Sequence, residues 1–326
     1  MPDGLPAWRF RTGRETGIGL MDQSIVIVGD WGGSRLRLWL RQGKSVIHRR
    51  DGPGVTALTD SPEKTFLDLV GDWREAGPDY AILCGMVGSR MGWTEAPYAP
   101  CPATTGQIAA RAVRIEAAGL PVRIVPGLSC VNPLGGPDVM RGEETQILGA
   151  LSLDAALRSG RHLLVLPGTH NKWAVVEDGQ ITTFLTAPIG ETFALLKAHS
   201  TLGAGGGSLA EGSAAGFARG LTRIAEQGAG RLTHLMFETR ARQLLEAMTP
   251  ADAMGFLSGL LIGADVAAAR DWFGPMEAVT VIGDGPLAAL YVQALAATGV
   301  TASAVDGDAA VLAGLSMITR HQDASS

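Results

Sequence analysis

Three short glycine-rich segments each follow an apolar run and carry residue types that bind phosphates and metal ions. The first is Asp30-Trp31-Gly32-Gly33-Ser34, which follows the β-branched run at residues 26–29. An acidic side chain at a strand end can hold a hydrated Mg²⁺, glycines let backbone N–H groups approach phosphate oxygens, and a serine hydroxyl adds a donor. Taken alone, this segment is equally typical of an ordinary glycine-rich hairpin.

The second segment repeats the arrangement of the first. An apolar run at 162–166 leads into Pro167-Gly168-Thr169-His170-Asn171-Lys172-Trp173, and a returning strand and a turn with Gly179 follow, as Gly43 follows the first segment. An internal repeat of one supersecondary unit favours phosphate binding at both turns. Two facing hairpins could grip the phosphates of one nucleotide from both sides. The charge of Lys172 could add to that grip, or Lys172 could form a surface ion pair.

The third segment lies late in the chain, where an apolar run at 278–282 ends in Gly283-Asp284-Gly285. The absent side chains of Gly283 and Gly285 leave room for a purine, so we expect an adenosine-facing turn here. Asp306-Gly307-Asp308 then precedes an apolar helix that we expect to close the chain.

The strands and helices that precede these turns must bring the turns to one edge of a sheet. A helix-start signature at Ser61 and the helical spacing of apolar residues predict a helix over 61–76, and a buried strand follows at 80–84. Strand, helix and strand in this order form a parallel unit, whose ligands lie at the carboxyl ends of its strands. The proline-rich stretch at 93–102 is expected to be irregular, either as a surface loop or as the lining of a pocket.

A pair of carboxylates opens another predicted helix, which runs through Leu153. Glu143 and Glu144 follow Arg141-Gly142. Acidic residues in the first turn of a helix are favoured by the macrodipole alone. They could also supply a general base or hold a water molecule that faces the nucleotide cleft.

Composition limits the class of protein. A chain of 326 residues is long enough for two domains, and 46% hydrophobic with 18% charged residues is typical of a compact soluble protein. A net charge of −5 gives no basic footprint for nucleic acid or an anionic membrane. Three scattered cysteines fit reduced thiols in a cytoplasmic protein. We expect no apolar stretch to be long enough to span a bilayer, and residues 1–20 are interpreted as a loose N-terminal extension that is not a secretory signal.

The order of these motifs resembles the phosphate, phosphate and adenosine motifs of the actin, Hsp70 and sugar-kinase superfamily. More narrowly, the chain resembles the 2-dehydro-3-deoxygalactonokinases. The stretches that carry this likeness are Asp30-Trp31-Gly32, residues 85–93, residues 139–146, residues 166–173 and residues 257–263, of which Arg141-Gly142-Glu143-Glu144-Thr145-Gln146 and Pro167-Gly168-Thr169-His170 with Lys172-Trp173 are the most specific.

The resemblance implies an α/β fold of two actin-like (ribonuclease H-like) lobes, with mixed sheets flanked by helices and a central nucleotide cleft. We expect an N-terminal lobe at 21–157 with a closing helix at 307–322, and a C-terminal lobe at 158–306. Two lobes that each hold one phosphate hairpin must approach for transfer and separate for release.

The implied activity is ATP-dependent phosphorylation of 2-dehydro-3-deoxy-D-galactonate at its 6-hydroxyl in galactonate catabolism, with ATP and Mg²⁺ as cofactors. Asp30 would organise Mg²⁺ through water. The nucleotide contacts would come from Gly32, Gly33, Ser34, Gly168, Thr169, Lys172, Gly283 and Gly285. One departure concerns the first turn, because the superfamily usually has Thr where Gly33 stands, and the hydroxyl is displaced to Ser34.

A carboxylate must accept the proton of the attacking hydroxyl. Glu144 is preferred, with Glu143 beside it and Asp138 in reserve, because the Gly-Glu-Glu helix start resembles the catalytic segment of exopolyphosphatases. The acid group of the substrate calls for an arginine or backbone N–H groups. Ser89 and Arg90 are the expected contacts, with Trp93 and Tyr98 as pocket walls and Glu191 as an acceptor for a sugar hydroxyl.

Three other functions stay open on the sequence. They are a kinase of another sugar or sugar acid, an exopolyphosphatase-like phosphohydrolase of the same superfamily, and a non-enzymatic sugar sensor. The phosphohydrolase would need a more basic channel than this acidic chain suggests, and a sensor usually carries a basic DNA-binding pair of helices outside the core. The expected partner is therefore a small sugar acid, and the chain could form a homodimer.

Overall fold

The computed structural model describes residues 24–203 and 212–324, which form two lobes, each built on a mixed sheet. The sheet of the first lobe has the strand order β3-β2-β1-β4-β7-β6. Its strands are β1 (Ile25–Trp31), β2 (Arg35–Gln42), β3 (Ser45–Pro53), β4 (Tyr80–Gly85), β6 (Val113–Ala117) and β7 (Leu120–Ile124). Strand β1 is antiparallel to β2 and parallel to β4, which is itself parallel to β7.

The sheet of the second lobe repeats this pattern with the order β12-β11-β10-β13-β14. Its strands are β10 (Arg161–Leu166), β11 (Asn171–Glu177), β12 (Gln180–Ala187), β13 (Ala278–Ile282) and β14 (Thr301–Val305). In both sheets an antiparallel meander of three strands continues into two parallel strands. The internal repeat and the expected α/β fold of two lobes with mixed sheets are confirmed.

The helices cover the outer faces of the sheets and fill the space between them. They are α1 (Pro62–Val70), α2 (Thr105–Ala109), α3 (Glu143–Leu153), α4 (Ile189–His199), α5 (Ala214–Gln227), α6 (Leu232–Leu245), α7 (Pro250–Phe273), α8 (Gly285–Ala297) and α9 (Gly307–Ala324). The predicted start of α1 is confirmed, because the Ser61 side chain accepts from the Lys64 backbone N–H. The second half of the predicted element, at Asp72–Ala76, is a 3₁₀ helix.

Helices α3 and α9 pack against each other between the two sheets and share one apolar core with both of them. Two glycines permit this contact. A Cβ on Gly149 would lie 1.7 Å from the Ala310 carbonyl oxygen, and one on Gly314 would lie 1.9 Å from the Thr145 carbonyl oxygen. Helix α9 also contacts β1 and β4 of the first lobe. These contacts support the proposal that residues 307–322 close the first lobe, although the lobe boundaries stay a prediction.

A small third sheet lies beside the lobes with the order β5-β8-β9, where β5 is Ala99–Pro100, β8 is Leu128–Val131 and β9 is Pro137–Met140. The expectation that 93–102 holds no regular structure is therefore wrong for two residues, because the backbone of β5 pairs with β8. Strand β9 leads directly into α3. This small sheet therefore sets where the Glu143-Glu144 pair begins.

Helix α7 corrects one sequence-based expectation. It spans 24 residues with a mean hydropathy of 1.4 over its most apolar window, so by length and composition it is long enough to cross a membrane. However, 67% of that window is buried inside the protein. The helix packs against α4, α5, α6 and α8 and belongs to the apolar cores of the second lobe. Residues 1–20, predicted as an extension, lie outside the described residues.

Candidate active site

The end of β1 meets the beginning of α3 at Gly142. A Cβ on this residue would lie 3.3 Å from the Gly85 Cα at the end of β4 and 4.0 Å from Asp30 Oδ1. Gly142 has a φ of 109°, which side-chain-bearing residues rarely adopt. The backbone therefore needs glycine here, and the contact brings the first predicted phosphate turn together with the Glu143-Glu144 pair.

Asp30 is tied to the arginine that faces it across the hairpin. Arg37 is the register partner of Asp30, and its Nη2 donates to Asp30 Oδ2. The same guanidinium donates to Asp308 in the first turn of α9 and lies 3.7 Å from Asp284 Oδ2 at the third turn. Burial raises the pKa of Asp30 above its ordinary value, and Arg37 opposes that rise.

Glu143 faces the second lobe. Its Oε1 lies 3.4 Å from the Nζ of Lys172 in β11, and its Oε2 accepts from the Arg141 backbone N–H at 3.0 Å. Lys172 is only 3% exposed, and its Nζ also donates to the His170 carbonyl oxygen at 3.1 Å. Lys172 therefore does form an ion pair, as one alternative expected, but its ammonium is buried between α3 and β11 while the Glu143 side chain is partly exposed.

Glu144 is fully buried, with an exposure of 0%. Its Oε2 accepts from the Gly142 backbone N–H at 2.7 Å, and its Oε1 accepts from the Thr145 hydroxyl at 3.0 Å. Burial, with a smaller contribution from Glu143, raises the pKa of Glu144 to about 8. This carboxyl therefore carries a proton at neutral pH. The reserve candidate Asp138 instead joins β9 to β12, since its two carboxylate oxygens accept from the backbone N–H and hydroxyl of Thr186.

The first predicted phosphate turn is braced from the segment that follows β3. The carbonyl oxygens of Gly32 and Gly33 accept from the backbone N–H groups of Val55 and Thr56. The Thr56 hydroxyl also donates to the Gly33 carbonyl oxygen at 2.7 Å, while Ser34 is exposed. A threonine hydroxyl thus does lie at this turn, although it comes from a segment 23 residues away, which sequence inspection missed.

The second turn is held by the start of α4. The Thr169 carbonyl oxygen accepts from the Glu191 backbone N–H, and the Glu191 carboxylate lies 2.8 Å from His170 Nε2. A Cβ on Gly190 would lie 2.4 Å from the Gly168 carbonyl oxygen, so α4 approaches this turn closely. Glu191 therefore lies at the predicted phosphate turn, with half of its side chain exposed.

A buried carboxylate holds the strand that leaves this turn. Asp265 Oδ2 in α7 accepts from the Asn171 side chain at 2.7 Å, from Trp173 Nε1 at 2.9 Å and from the Tyr291 hydroxyl at 2.7 Å. Burial raises the pKa of Asp265 to about 6, although the hydrogen bonds from these three donors oppose the rise. Asp265 and Arg37 were not singled out from the sequence. Asp265 could have been found as a lone acid inside an apolar helix. Arg37 could have been found as an arginine opposite an acid in a predicted hairpin.

The third turn lines a cavity of about 530 Å³. The cavity is bounded by glycines and charged groups from both lobes, among them Arg35, Arg49, Gly283, Gly285 and Asp306. A Cβ on Gly283 would lie 3.9 Å from Pro167, so the second and third turns are neighbours. Since Asp284 accepts from the Gly307 backbone N–H, this turn is also fixed to the start of α9. We call this space the cleft cavity.

Four of the five residues predicted to bind the sugar acid lie in or beside the segment after β4. Ser89 donates to the Met86 carbonyl oxygen, and Trp93 packs at 5.4 Å from the ring of Phe66. Arg90 is exposed over 86% of its side chain and pairs with Glu95. Tyr98 is 40% exposed and stacks at 4.4 Å under the Arg141 guanidinium.

Arg141 is a cation of this region that was not singled out from the sequence as a ligand contact. It joins the segment after β4 to the start of α3, because its Nη2 donates to the Ala96 carbonyl oxygen at 2.8 Å. Its Nε and Nη1 are buried and have no hydrogen-bond partner among the described residues. Arg141 therefore lies at the start of the Glu143-Glu144 pair with two guanidinium nitrogens that lack a hydrogen-bond partner in the described part of the chain, whereas the exposed Arg90 pairs with Glu95.

The acidic groups fit a Mg²⁺ ion that is held mainly by phosphates and water. Mg²⁺ in kinases is usually bound through one or two carboxylates together with substrate phosphates. Within 24–203 and 212–324, no group of three or more His, Cys, Asp or Glu side chains is placed to hold a metal ion. A single carboxylate such as Asp30, with Oδ1 facing Gly142 and the Cys84 thiol, agrees with that mode of binding.

Comparison with known proteins gives a consistent result. Residues 30–318 match the family model of 2-keto-3-deoxy-galactonokinase. The chain is 40% identical to the 2-dehydro-3-deoxygalactonokinase of Escherichia coli (strain K12), over 89% of this chain and 95% of that protein. It is 41% identical, with the same coverage, to the Rhizobium meliloti (strain 1021) protein named "Probable 2-dehydro-3-deoxygalactonokinase DgoK1". A crystal structure from Sinorhizobium meliloti, named for the same kinase, superposes with a TM-score of 0.80 at 38% identity, covering 90% of this chain and 98% of that one.

Proposed function

The chain belongs to the 2-dehydro-3-deoxygalactonokinase family, and on that premise we propose that it phosphorylates 2-dehydro-3-deoxy-D-galactonate at the 6-hydroxyl, with ATP as the donor. The reaction is a step of galactonate catabolism, and we place it in the cytoplasm. The observation that carries the proposal is the Glu143–Lys172 pair. It joins a carboxylate beside Asp30 to a cation that follows the second predicted phosphate turn. The proposed metal-binding carboxylate, the proposed base and a phosphate-binding lysine would therefore line one cleft.

The cleft provides the positioning and charge that phosphoryl transfer requires. We assign the β- and γ-phosphates to the backbone of Gly32, Gly33 and Gly168 with the hydroxyls of Ser34 and Thr169. The adenosine is assigned to the cleft cavity beside Gly283 and Gly285. Asp30 would hold Mg²⁺, which when bound neutralises charge on the phosphates. Lys172 adds a cation on the same side.

We assign the general base to Glu143. As the 6-hydroxyl oxygen bonds to the γ-phosphorus, its O–H proton passes to the Glu143 carboxylate, the bond from the γ-phosphorus to the bridging oxygen breaks, and ADP leaves with that electron pair. Glu143 is partly exposed and faces Lys172, whereas the protonated and fully buried Glu144 has both oxygens engaged by its own helix start. This geometry favours Glu143 over the Glu144 preferred from the sequence. We propose that Glu144 fixes the start of α3.

Ser89, Arg90, Trp93, Tyr98 and Glu191 remain the proposed contacts of the sugar acid. Their support is position, since the first four lie in or beside the segment after β4 and Glu191 lies at the second turn. An arginine at the rim suits a carboxylate, because a guanidinium can bind both of its oxygens. A homodimer stays a prediction.

The test is ADP release measured with a coupled assay over a panel of sugar acids and neutral sugars. We expect turnover with 2-dehydro-3-deoxy-D-galactonate and a product phosphorylated at O6, identified by NMR. Faster turnover with another acceptor would reassign the substrate. Release of inorganic phosphate without an acceptor would favour the phosphohydrolase, and binding without turnover would favour the sensor.

A further inference from the structure

We infer that Lys172 restrains Glu143 in the nucleotide-free protein and releases it when ATP binds, so that the nucleotide primes the sugar-acid site. The inference rests on the proposed function and assigns Lys172 a positioning role between two ligands. It begins from a competition between two roles. The single positive charge of Lys172 cannot fully compensate both Glu143 and the ATP phosphates, and the ammonium occupies part of the hydrogen-bonding capacity of Glu143 Oε1, the oxygen that would accept the sugar hydroxyl.

Burial makes Lys172 dependent on an anionic partner. Lys172 is 3% exposed, and burying an ammonium is costly unless it is paired and hydrogen-bonded. In this structure its partners are Glu143 Oε1 at 3.4 Å and the His170 carbonyl oxygen at 3.1 Å. Removing the carboxylate partner therefore requires another anion in its place.

The nucleotide is the anion that reaches this position. Lys172 follows Gly168 and Thr169 on the same segment and is the register partner of Leu166, the last residue of β10. Phosphates bound at this turn would therefore lie on the same side of the sheet edge as the ammonium. A triphosphate carries more negative charge than one carboxylate, so its arrival draws Lys172 from Glu143.

Glu143 is held in place when Lys172 leaves. Its Oε2 accepts from the Arg141 backbone N–H at 3.0 Å, and this bond does not involve Lys172. Release therefore frees Oε1 as a hydrogen-bond acceptor without loss of the side-chain position. In this way the exchange couples the nucleotide site to the base, and binding of ATP should strengthen binding of the sugar acid.

The experiment is calorimetric titration of 2-dehydro-3-deoxy-D-galactonate into the full chain, with and without a saturating non-hydrolysable ATP analogue. For the wild type we expect the analogue to tighten sugar-acid binding by at least about fivefold, the lower range of measured couplings. In Lys172→Met, the sugar-acid affinity with the analogue should be about the same as without it, because Glu143 is then unrestrained whether or not the nucleotide is bound. Lys172→Arg, which keeps the charge, should retain part of it.

Two controls define the result. Lys64→Met removes a lysine from an exposed pair on α1 and should retain the full coupling. Glu143→Gln removes the other partner and should also abolish the coupling, which gives a second test if Lys172→Met is poorly folded. Wild-type coupling that persists in Lys172→Met or in Glu143→Gln would overturn the inference, and so would a wild type that turns over the sugar acid without any coupling. A wild type that neither binds nor phosphorylates this sugar acid would instead overturn the proposed function and the inference with it.

Discussion

Arg37 and Asp30 are register partners across the β1–β2 hairpin, and their side chains form a largely buried ion pair. The guanidinium also pairs with Asp308, so one side chain links the first phosphate turn to α9, the helix that lies between the two sheets. Arg37 is 8% exposed, so these charges are largely shielded from water. The predicted metal-organising carboxylate is therefore held by a pairing that its own hairpin creates.

Loss of Arg37 should destabilise the protein. Arg37→Gln leaves Asp30 and Asp308 without their shared cation, and breaking a buried pair from one side costs about 3–5 kcal/mol. Urea denaturation would measure this loss. Arg90→Gln is the matched control, because Arg90 and its partner Glu95 are both exposed and such pairs contribute about 1 kcal/mol or less. Equal losses in the two variants would contradict the central role of Arg37.

The raised pKa of Glu144 predicts that the stability of the protein depends on pH. Its pKa is about 8 in the fold and 4.5 as the ordinary value, so its contribution is fully present below about pH 4.5 and is lost as the pH rises through 8. Because a tenfold change in proton affinity corresponds to about 1.4 kcal/mol, the wild type should be less stable by a few kcal/mol at pH 9 than at pH 5. Glu144→Gln removes this group and should flatten the profile. Urea midpoints at both pH values provide the measurement, and parallel profiles would show that Glu144 does not titrate as described.

Local patterns predicted the repeat well and the side-chain partners poorly. The strand ends at Trp31, Leu166 and Ile282 follow from apolar runs that stop at glycine turns, and the matching order of the two sheets confirms the repeat. In contrast, Asp308 reaches Arg37 over 271 residues, and Thr56 reaches the first turn over 23. Such partners depend on how α9 and the chain after β3 pack, which no local spacing encodes.

The adjacent glutamates show the same limit. Their order at the start of α3 predicts two carboxylates in one turn, yet only the fold decides that Glu144 is buried while Glu143 faces Lys172. Sequence resemblance favoured Glu144, and the choice between the two requires knowing which lobe each carboxylate meets.

The two glutamates should therefore respond differently in catalysis. Glu143→Gln removes the proposed proton acceptor, and general base catalysis typically contributes about 10²–10⁴-fold. We expect kcat to fall within that range at pH 7.5 while the ATP analogue still binds. Glu144→Gln should change kcat by only a few-fold, because a neutral amide replaces a neutral carboxyl. Coupled ADP release measures both, and the reverse order of effects would return the base to Glu144.

A side chain on Gly142 should disturb the junction between β4 and α3. Gly142→Ala adds a Cβ 3.3 Å from the Gly85 Cα at a φ of 109°, so both backbone strain and contact move the start of α3. We expect a loss of about 1–3 kcal/mol in stability and a larger fall in kcat. Gly135→Ala has a comparable φ of 81° but no atom within 4 Å, so it should lose stability without the fall in kcat. Similar kcat values in the two variants would argue against a packed junction.

Asp265 should act on the second phosphate turn from a distance. Asp265→Ala leaves the Asn171, Trp173 and Tyr291 donors without their shared acceptor, and each unpaired buried donor costs about 1–3 kcal/mol. Because Asn171 begins β11 directly after the turn, we expect the KM for ATP to rise several-fold with a smaller change in kcat. Tyr291→Phe removes one donor and leaves the carboxylate its other two, so it should cost about 0.5–1.5 kcal/mol and leave the KM for ATP nearly unchanged. Steady-state kinetics and urea denaturation of both variants measure the difference. If Tyr291→Phe raised the KM for ATP as much as Asp265→Ala, the turn would depend on the packing of α8 rather than on the Asp265 carboxylate.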